Sequence, residues 1–253
     1  MPGIATVRAV TVALVHGVPE TTVVWEPLVG ELGHEDVACL PLPGFGTPLP
    51  DGFEPTMDAY AAWLADELAR LGDVDLVGHD WGALLSLRVL ADRPANVRSW
   101  AVDAGDLGED FRWHDLALVW QTPGEGEAFM DGLLAAPIEE RAALLVASGV
   151  PAEGAHPMAA CFDATMAAAI LGLYRSATEI GTTWDAGLDA IEAPGLVLAS
   201  GRDPFRAPGR AERLARRTGA QLVELPDAGH WWMLEDPGAA AAALSQFWAA
   251  LER

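Results

Sequence analysis

The stretch Val74-Asp75-Leu76-Val77-Gly78-His79-Asp80-Trp81-Gly82-Ala83 carries the signal that decides the fold. An apolar run with the length of a buried strand ends at Gly78, and a segment with helical spacing begins at Gly82. Gly-x-Asp-x-Gly has the spacing of a nucleophile elbow, a sharp strand-to-helix turn, with Asp80 where a serine usually stands. The glycines are needed because a side chain at either place would collide with neighbouring backbone. The alternative is an Asp80 that only caps the helix.

Two later turns carry the partners that such a nucleophile needs. Asp203 follows the apolar run 195–199, and His230 follows the run 221–225, just before the last helical stretch. Nucleophile, acid and histidine in this chain order are typical of α/β hydrolases. We therefore predict Asp80, Asp203 and His230 as catalytic residues, with Asp106 as the alternative acid.

Short apolar runs alternate with helical stretches along much of the chain. This alternation predicts an α/β fold, a mostly parallel sheet flanked by helices, which binds ligands at the carboxyl ends of its strands. The predicted strands are 11–15, 37–40, 74–77, 99–102, 195–199 and 221–225, and the clearest helices are 57–71, 82–91 and 237–251.

The alternation breaks between about residues 106 and 189, where no strand-like run interrupts a series of helical segments. We expect a helical cap over residues 106–189. It would be inserted into a core domain formed by residues 1–105 and 190–253.

The motif Val15-His16-Gly17-Val18-Pro19-Glu20 predicts a strand that runs into a tight turn. Such a turn would point the backbone N–H of Val18 into a cleft. Together with the N–H of Trp81, it would hold a developing oxyanion there. We interpret His16 as a structural residue of the turn rather than an acid or base.

Composition limits the partners and the location of the protein. The formal net charge is −22, and the fifteen basic residues are all Arg, scattered without a basic stripe. Nucleic acid and membrane surfaces are therefore not expected as partners. No secretory signal pattern and no membrane-spanning apolar run occurs, so we expect a soluble, cytoplasmic protein. Cys39 and Cys161 lack metal-ligand spacing and are expected to be buried free thiols, with no metal and no cofactor.

A carboxylate nucleophile changes the chemistry expected of the three catalytic residues. Asp80 is already ionised at neutral pH, so His230 need not activate it and is free to activate water. Attack on an sp³ carbon would give an alkyl-enzyme ester on Asp80. Water activated by His230, with Asp203 orienting the imidazole, would hydrolyse that ester.

At these residues the sequence resembles the epoxide hydrolase and haloalkane dehalogenase branch of the α/β-hydrolase superfamily, over nearly its whole length. The motifs His-Gly-x-Pro, Gly-His-Asp-Trp-Gly and Gly-His-Trp are jointly specific for that branch. The resemblance implies two leaving groups: an epoxide oxygen, protonated by cap tyrosines, or a halide, held by N–H donors that are commonly an indole pair.

The residues expected at the leaving group are incomplete for both activities. Tyr174 resembles one ring-opening tyrosine, but Leu116 stands where the resemblance places the other, so His114 could substitute or Tyr174 could act alone. For a halide, Trp81 supplies one indole and Trp120 or Trp113 the second. Many dehalogenases use Asn where this chain has Val18.

We therefore rank epoxide hydrolysis first, haloalkane dehalogenation second, and a non-catalytic small-molecule binding protein on the same fold third. An esterase is disfavoured because Asp80 replaces serine. The expected substrate is small and apolar, with Trp81, Trp120 and His114 in its pocket. A homodimer is compatible with the sequence.

Overall fold

Six parallel strands form one sheet in the computed structural model, which describes residues 10–105 and 107–252. The strands are β1 (Thr11–Val15), β2 (Val37–Leu40), β3 (Val74–Gly78), β4 (Val97–Val102), β5 (Gly195–Ser200) and β6 (Gln221–Leu225). Their order is β2-β1-β3-β4-β5-β6, and every neighbouring pair is parallel. These bounds confirm the six predicted strands and the α/β-hydrolase fold.

The helices of the described residues are α1 (Glu26–Leu32), α2 (Met57–Leu71), α3 (Trp81–Ala91), α4 (Asp115–Gln121), α5 (Glu125–Ala135), α6 (Ile138–Ala147), α7 (Ala152–Cys161), α8 (Ala164–Ser176), α9 (Ile180–Thr183), α10 (Arg210–Thr218), α11 (Trp232–Glu235) and α12 (Pro237–Leu251). Local chemistry sets several of their ends. The Thr56 hydroxyl accepts a hydrogen bond from the Ala59 N–H and so caps α2, and the Asp236 carboxylate caps α12. Such a cap stabilises a helix by about 1 kcal/mol.

Helices cover both faces of the sheet. All five residues of β1 are buried, and its side chains alternate between two apolar clusters: Ala13 and Val15 pack on one face, and Val12 and Leu14 on the other. Burial on both faces explains why the strands are continuous apolar runs rather than alternating ones. Each fully buried Val or Leu side chain contributes about 1.5–3 kcal/mol to folding.

The sheet order places two turns side by side. β1 lies between β2 and β3, so the chain reverses its direction across the sheet at this point. The turns that follow β1 and β3 therefore meet at the carboxyl edge, which is the place where open α/β sheets form a ligand crevice.

Between β4 and β5, the part of the chain that the structure describes forms helices α4–α9 and no strand. This agrees with the helical segments expected there, while the division into core and cap domains stays a prediction. No single described helix is long and apolar enough to cross a membrane. Only the bent pair α7 and α8 passes that test together, with a bend of 96°.

The two cysteines differ in part from the expectation. Both are free, but both are half-buried rather than buried. Cys39 lies on β2, the outermost strand beside β1, and Cys161 is the last residue of α7, so neither is enclosed on all sides.

Candidate active site

Asp80 lies at a strained turn between β3 and α3. Its backbone has φ 50° and ψ −118°, a conformation that costs a non-glycine residue about 1–3 kcal/mol. The two flanking glycines allow the close approach that holds it there. A Cβ on Gly78 would lie 2.5 Å from the Gly82 carbonyl oxygen, and a Cβ on Gly82 would lie 2.1 Å from the Val15 carbonyl oxygen. The turn therefore has the geometry of a nucleophile elbow.

Backbone N–H groups surround the Asp80 carboxylate. The Val18 N–H donates a hydrogen bond to Asp80 Oδ1 at 2.9 Å, and the Trp81 N–H also favours the ionised carboxylate. Gly17 lets the turn after β1 reach this position, because a Cβ there would lie 2.5 Å from the Asp80 Cβ. The N–H groups of Val18 and Trp81 thus lie together at this carboxylate.

His230 and Asp203 form a hydrogen-bonded pair beside Asp80. His230 Nδ1 lies 3.0 Å from Asp203 Oδ2, and Asp203 Oδ1 accepts a hydrogen bond from the Phe205 N–H at 2.8 Å. His230 Nε2 lies 3.9 Å from Asp80 Oδ2, which is too long for a direct hydrogen bond. A proton on Nδ1, donated to Asp203, leaves the Nε2 lone pair facing Asp80.

Burial and neighbouring charges set the protonation of these three groups. Burial raises the pKa of Asp80, although the charges of His230 and His79 oppose that rise. Burial would lower the pKa of His230, but the hydrogen bond to Asp203 and the charges of Asp203 and Asp80 raise it above its usual value. Burial would raise the pKa of Asp203, but His230 lowers it. Carboxyl groups flank the imidazole on both sides, Asp203 at Nδ1 and Asp80 at Nε2.

A cavity of about 390 Å³ opens above Asp80 and His230. Helices α4–α8 form its far wall, and the carboxyl edge of the sheet forms its floor. Its apolar lining consists of Val18, Pro19, Leu116, Trp120, Phe129, Met130, Leu133, Leu144, Leu145, Ala147, Met158, Ala159, Phe162, Ile170, Phe205 and Trp231. A cavity of this size and lining suits a small apolar molecule.

Tyr174 of α8 enters the cavity from the far wall. It is buried, and its ring centroid lies 4.7 Å from that of Trp120 and 5.4 Å from that of Trp81. Burial and the charge of Asp80 hold the pKa of Tyr174 well above its usual value, so its hydroxyl stays protonated. A protonated hydroxyl can donate to an oxygen in the cavity.

The Trp81 ring occupies a different place from the one expected. It is fully buried behind Tyr174, stacked on Trp113 at 5.6 Å between centroids, and it is absent from the described cavity wall. Trp81 is the first residue of α3, and its indole packs against the rings of Trp113 and Tyr174. Trp120 does line the cavity, as expected. The indole N–H groups of Trp81 and Trp120 are both buried and form no hydrogen bond of normal geometry, although the Trp81 side chain is close enough to the Tyr174 hydroxyl to lower its pKa in part.

His114 and Leu116 also line the cavity. The Ala117 N–H donates to His114 Nδ1 at 3.2 Å, so the imidazole caps α4. Because Nδ1 accepts this bond, the neutral ring carries its proton on Nε2. Burial lowers the pKa of His114, which favours the neutral ring. His114 therefore offers the cavity a second donor, its Nε2–H, besides the Tyr174 hydroxyl.

Glu20 and Asp103, to which the sequence motifs assigned no role, form a buried charge cluster with His79. His79 Nε2 lies 3.1 Å from Glu20 Oε1, and His79 Nδ1 bonds Asp103 Oδ2. Burial would lower the pKa of His79, but the two carboxylates raise it well above its usual value. Burial would raise the pKa of Glu20, but the charge of His79 and its hydrogen bond lower this pKa to about 2. His79 is thus a buried cation between two carboxylates.

This cluster holds the backbone of both turns. Glu20 Oε2 accepts a hydrogen bond from the Gly17 N–H at 2.9 Å, and Asp103 Oδ1 accepts one from the Asp80 N–H at 3.1 Å. In the sequence, Glu20 is marked only by its place directly after His-Gly-x-Pro, and Asp103 only by its place at the end of a strand. Asp106, the alternative catalytic acid, lies outside the described residues.

His16 lies where a structural residue is expected. Its ring is fully buried, Nδ1 donates to the Gly17 carbonyl at 2.8 Å, and Nε2 accepts from the Leu42 N–H at 3.1 Å. Burial lowers its pKa, so the ring is neutral. Within residues 10–105 and 107–252, no group of three or more His, Cys, Asp or Glu side chains could hold a metal ion.

The chain belongs to the alpha/beta hydrolase family, whose model matches residues 12–244. It is therefore a hydrolase of this family. Among curated proteins, epoxide hydrolase A of Mycobacterium tuberculosis is 27% identical over 300 aligned positions, which cover 96% of this chain and 92% of that protein.

Two solved structures show how widely this fold is used. Haloalkane dehalogenase DbeA of Bradyrhizobium elkani matches with a TM-score of 0.78 and 22% identity, over 97% of this chain and 92% of that one. A thermophilic esterase of Thermogutta terrifontis matches with a TM-score of 0.75 and 23% identity, over 97% and 91%. At such identities the likeness establishes the fold alone, so the reaction has to be argued from the site.

Proposed function

We propose that this hydrolase converts an apolar epoxide to a diol through a covalent ester on Asp80. The observation that carries the proposal is a carboxylate in the nucleophile position that shares one cavity with a buried, protonated tyrosine. A serine nucleophile would act on acyl groups, whereas a carboxylate can displace an oxygen from an sp³ carbon. The resulting alkoxide needs a proton, and Tyr174 supplies it.

Ring opening is the first half-reaction. Asp80 Oδ2, the oxygen that does not accept the Val18 hydrogen bond, attacks an epoxide carbon. A new C–O bond forms, the ring C–O bond breaks, and its electron pair goes to the epoxide oxygen. That oxygen takes the proton of the Tyr174 hydroxyl, while the Nε2–H of His114 offers a second hydrogen bond from the same cavity.

Hydrolysis of the ester is the second half-reaction. Water attacks the ester carbonyl carbon as His230 Nε2 takes its proton, and the N–H groups of Val18 and Trp81 hold the oxyanion. Collapse of this intermediate breaks the C–O bond of the ester, the departing oxygen takes the remaining proton of the added water, and the diol leaves while Asp80 is again a carboxylate. The proton on His230 then restores the Tyr174 hydroxyl through solvent. Asp203 supports this step because it stabilises the imidazolium that forms.

A second candidate, haloalkane dehalogenation, rests on the indole N–H of Trp120, which is buried without a hydrogen-bond acceptor. Trp120 lines the cavity and packs against Tyr174, whereas Trp81 lies outside the cavity wall. A halide leaving from the carbon attacked by Asp80 would supply that acceptor without needing a proton. The structural similarity to haloalkane dehalogenase DbeA is compatible with this candidate. Dehalogenation would, however, leave the protonated Tyr174 without a role.

The mass of the covalent ester distinguishes the two activities. His230→Gln should make this mass measurable because it blocks hydrolysis of the ester. We expect the variant to trap an adduct on Asp80, because only water activation is lost. Incubation with epoxyhexane should add the full mass of the epoxide in intact-mass spectrometry, and peptide mapping should place it on Asp80. Bromohexane would instead add only a hexyl group and release bromide.

The exposed residue His34 offers a matched control, since His34→Gln changes the same residue type away from the cavity. That variant should turn over epoxyhexane without accumulating an adduct. Turnover of epoxyhexane by the unmodified chain with no adduct on the His230 variant would overturn the covalent route. An adduct from bromohexane alone would select the dehalogenase.

A further inference from the structure

Arg141 on α6 is the one Arg or Lys side chain in the cavity wall formed by the described residues. The carboxylate in that wall is Asp80, at the sheet edge. Arg141 lies instead among apolar side chains of the far wall, including Leu144, Leu145 and Phe162. A positive charge thus lines a largely apolar cavity, on α6 rather than at the sheet edge that carries Asp80.

The hydrogen bonds of this guanidinium are incomplete. Nη1 donates to the Phe162 carbonyl at 2.8 Å, but Nε is buried without a partner. No carboxylate in the described part of the chain forms an ion pair with Arg141, whereas Arg175 on α8 is paired through two N–H groups with Glu127, both at 2.7 Å. A charged donor left unpaired by burial costs free energy, and an acceptor that enters the cavity would remove this cost.

We propose that Arg141 binds a carboxylate at the end of the substrate remote from its reacting carbon. The proposal rests on the proposed function and narrows its substrate to an apolar epoxide that bears a carboxylate. The planar guanidinium matches a carboxylate with two parallel N–H donors. Asp80 repels the same carboxylate from the reacting end, so the two charges fix the direction in which the substrate lies.

The overall charge of −22 does not oppose such binding inside the cavity. Exposed charges are screened over about 8 Å at physiological ionic strength, whereas a partly buried pair is screened much less. The local guanidinium therefore decides which group the far wall accepts. The acidic surface acts chiefly by slowing the arrival of an anion, and salt reduces that effect.

Kinetics with a matched pair of substrates test this role. A terminal epoxide of a medium-chain fatty acid and the methyl ester of the same acid differ only at the remote end. We expect kcat/KM to favour the acid by about 10- to 100-fold, the range of a hydrogen bond to a charged group. Arg141→Gln should abolish this preference by lowering kcat/KM for the acid to that for the ester, and Arg141→Lys should keep part of it.

A structural role for Arg141 would give another result. If the residue served only to tie α6 to Phe162, Arg141→Gln would lower kcat/KM for the acid and the ester by the same factor. Equal reductions, or an unmodified chain without preference for the acid, would overturn the proposal.

A binding measurement keeps this inference separate from the chemistry. Decanoate and decanamide contain no reactive group, and Trp120 and Trp231 in the cavity wall report their binding by fluorescence. Arg141→Gln should weaken decanoate binding by about 10- to 100-fold and leave decanamide unchanged. If this holds while no epoxide is turned over, the proposed function fails and the role of Arg141 stands. If epoxide is turned over while the variant weakens both ligands equally, the role of Arg141 fails and the proposed function stands.

Discussion

Tyr174 lies between two tryptophan rings with its hydroxyl group in a cavity that also holds Asp80. In the proposed reaction it serves only ring opening, because a halide leaves without a proton. Tyr174→Phe should therefore slow alkylation of Asp80 by an epoxide by about 10²- to 10⁴-fold, the usual contribution of a positioned acid. Single-turnover rates for epoxyhexane and bromohexane would measure this, and the bromohexane rate should barely change.

Tyr60 is the matched control for this substitution. It is the other tyrosine of the chain, it is also buried, and its hydroxyl donates to the Pro43 carbonyl at 2.7 Å rather than into the cavity. Tyr60→Phe should lower stability by about 1 kcal/mol and leave both alkylation rates unchanged. Equal, small effects of Tyr174→Phe on the two substrates would reduce Tyr174 to a packing residue.

The residues named from the sequence are those whose signal is local. The positions of Asp80, Asp203 and His230 follow from turns at strand ends and from chain order, and the structure brings these side chains together. Glu20 and Asp103 also follow strands, but nothing local indicates their role, because each acts through a contact with His79, which is 59 positions from Glu20 and 24 from Asp103. Such pairs are visible only once the sheet order is known.

At the scale of elements, the strands and the helical character of the segment between β4 and β5 were predictable, but the helix faces that line the cavity were not. Strands buried on both faces must be continuous apolar runs, so β1 and β3 are evident in the sequence. In α6, by contrast, Leu144 and Val146 are largely exposed, so its apolar pattern does not say which face meets the cavity. The entry of Arg141 into that cavity depends on packing against other helices, which no local pattern encodes.

The elbow between β3 and α3 tolerates little change. Gly82→Ala would place a Cβ 2.1 Å from the Val15 carbonyl oxygen, so the backbone of β1 or of α3 must shift. We expect a loss of unfolding free energy of about 1–3 kcal/mol or more, measured by urea denaturation, together with loss of Asp80 alkylation. Gly30→Ala is the matched control: it lies in α1 with open space at its Cβ, and it should stabilise the protein by about 0.5–1 kcal/mol. Equal stabilities for the two variants would contradict the close approach at the elbow.

Charge at the scale of the whole molecule divides into an acidic exterior and a few internal cations. The net charge is −22, yet His79 and Arg141 place positive charge within the fold, and His230 titrates between carboxylates. The charge of His79 acts on the nucleophile without contacting substrate: it favours ionised Asp80. It also opposes protonation of His230. His79 thus biases both groups towards the forms that the proposed reaction needs, while Glu20 of the same cluster raises the pKa of Asp80.

The two half-reactions should consequently respond differently to pH. Alkylation needs ionised Asp80, whose pKa burial raises above 3.8, and it is lost only as pH falls through that raised pKa. Hydrolysis needs neutral His230, whose pKa in the free enzyme lies above 6.5 because Asp203 and Asp80 oppose the effect of burial. Esterification removes the negative charge of Asp80, so the pKa of His230 is lower in the ester than in the free enzyme.

Below the pKa that His230 has in the ester, and above the pKa of Asp80, ring opening should proceed while hydrolysis slows. We therefore expect the unmodified enzyme to accumulate the Asp80 ester at mildly acidic pH and to lose it as pH rises, which quenched-flow intact-mass spectrometry with epoxyhexane would detect. In His230→Gln the adduct should instead persist across that whole range, because no titrating base remains at this position. An ester fraction in the unmodified enzyme that does not change with pH would mean that another group activates the water, and His230 would then lose its assigned role.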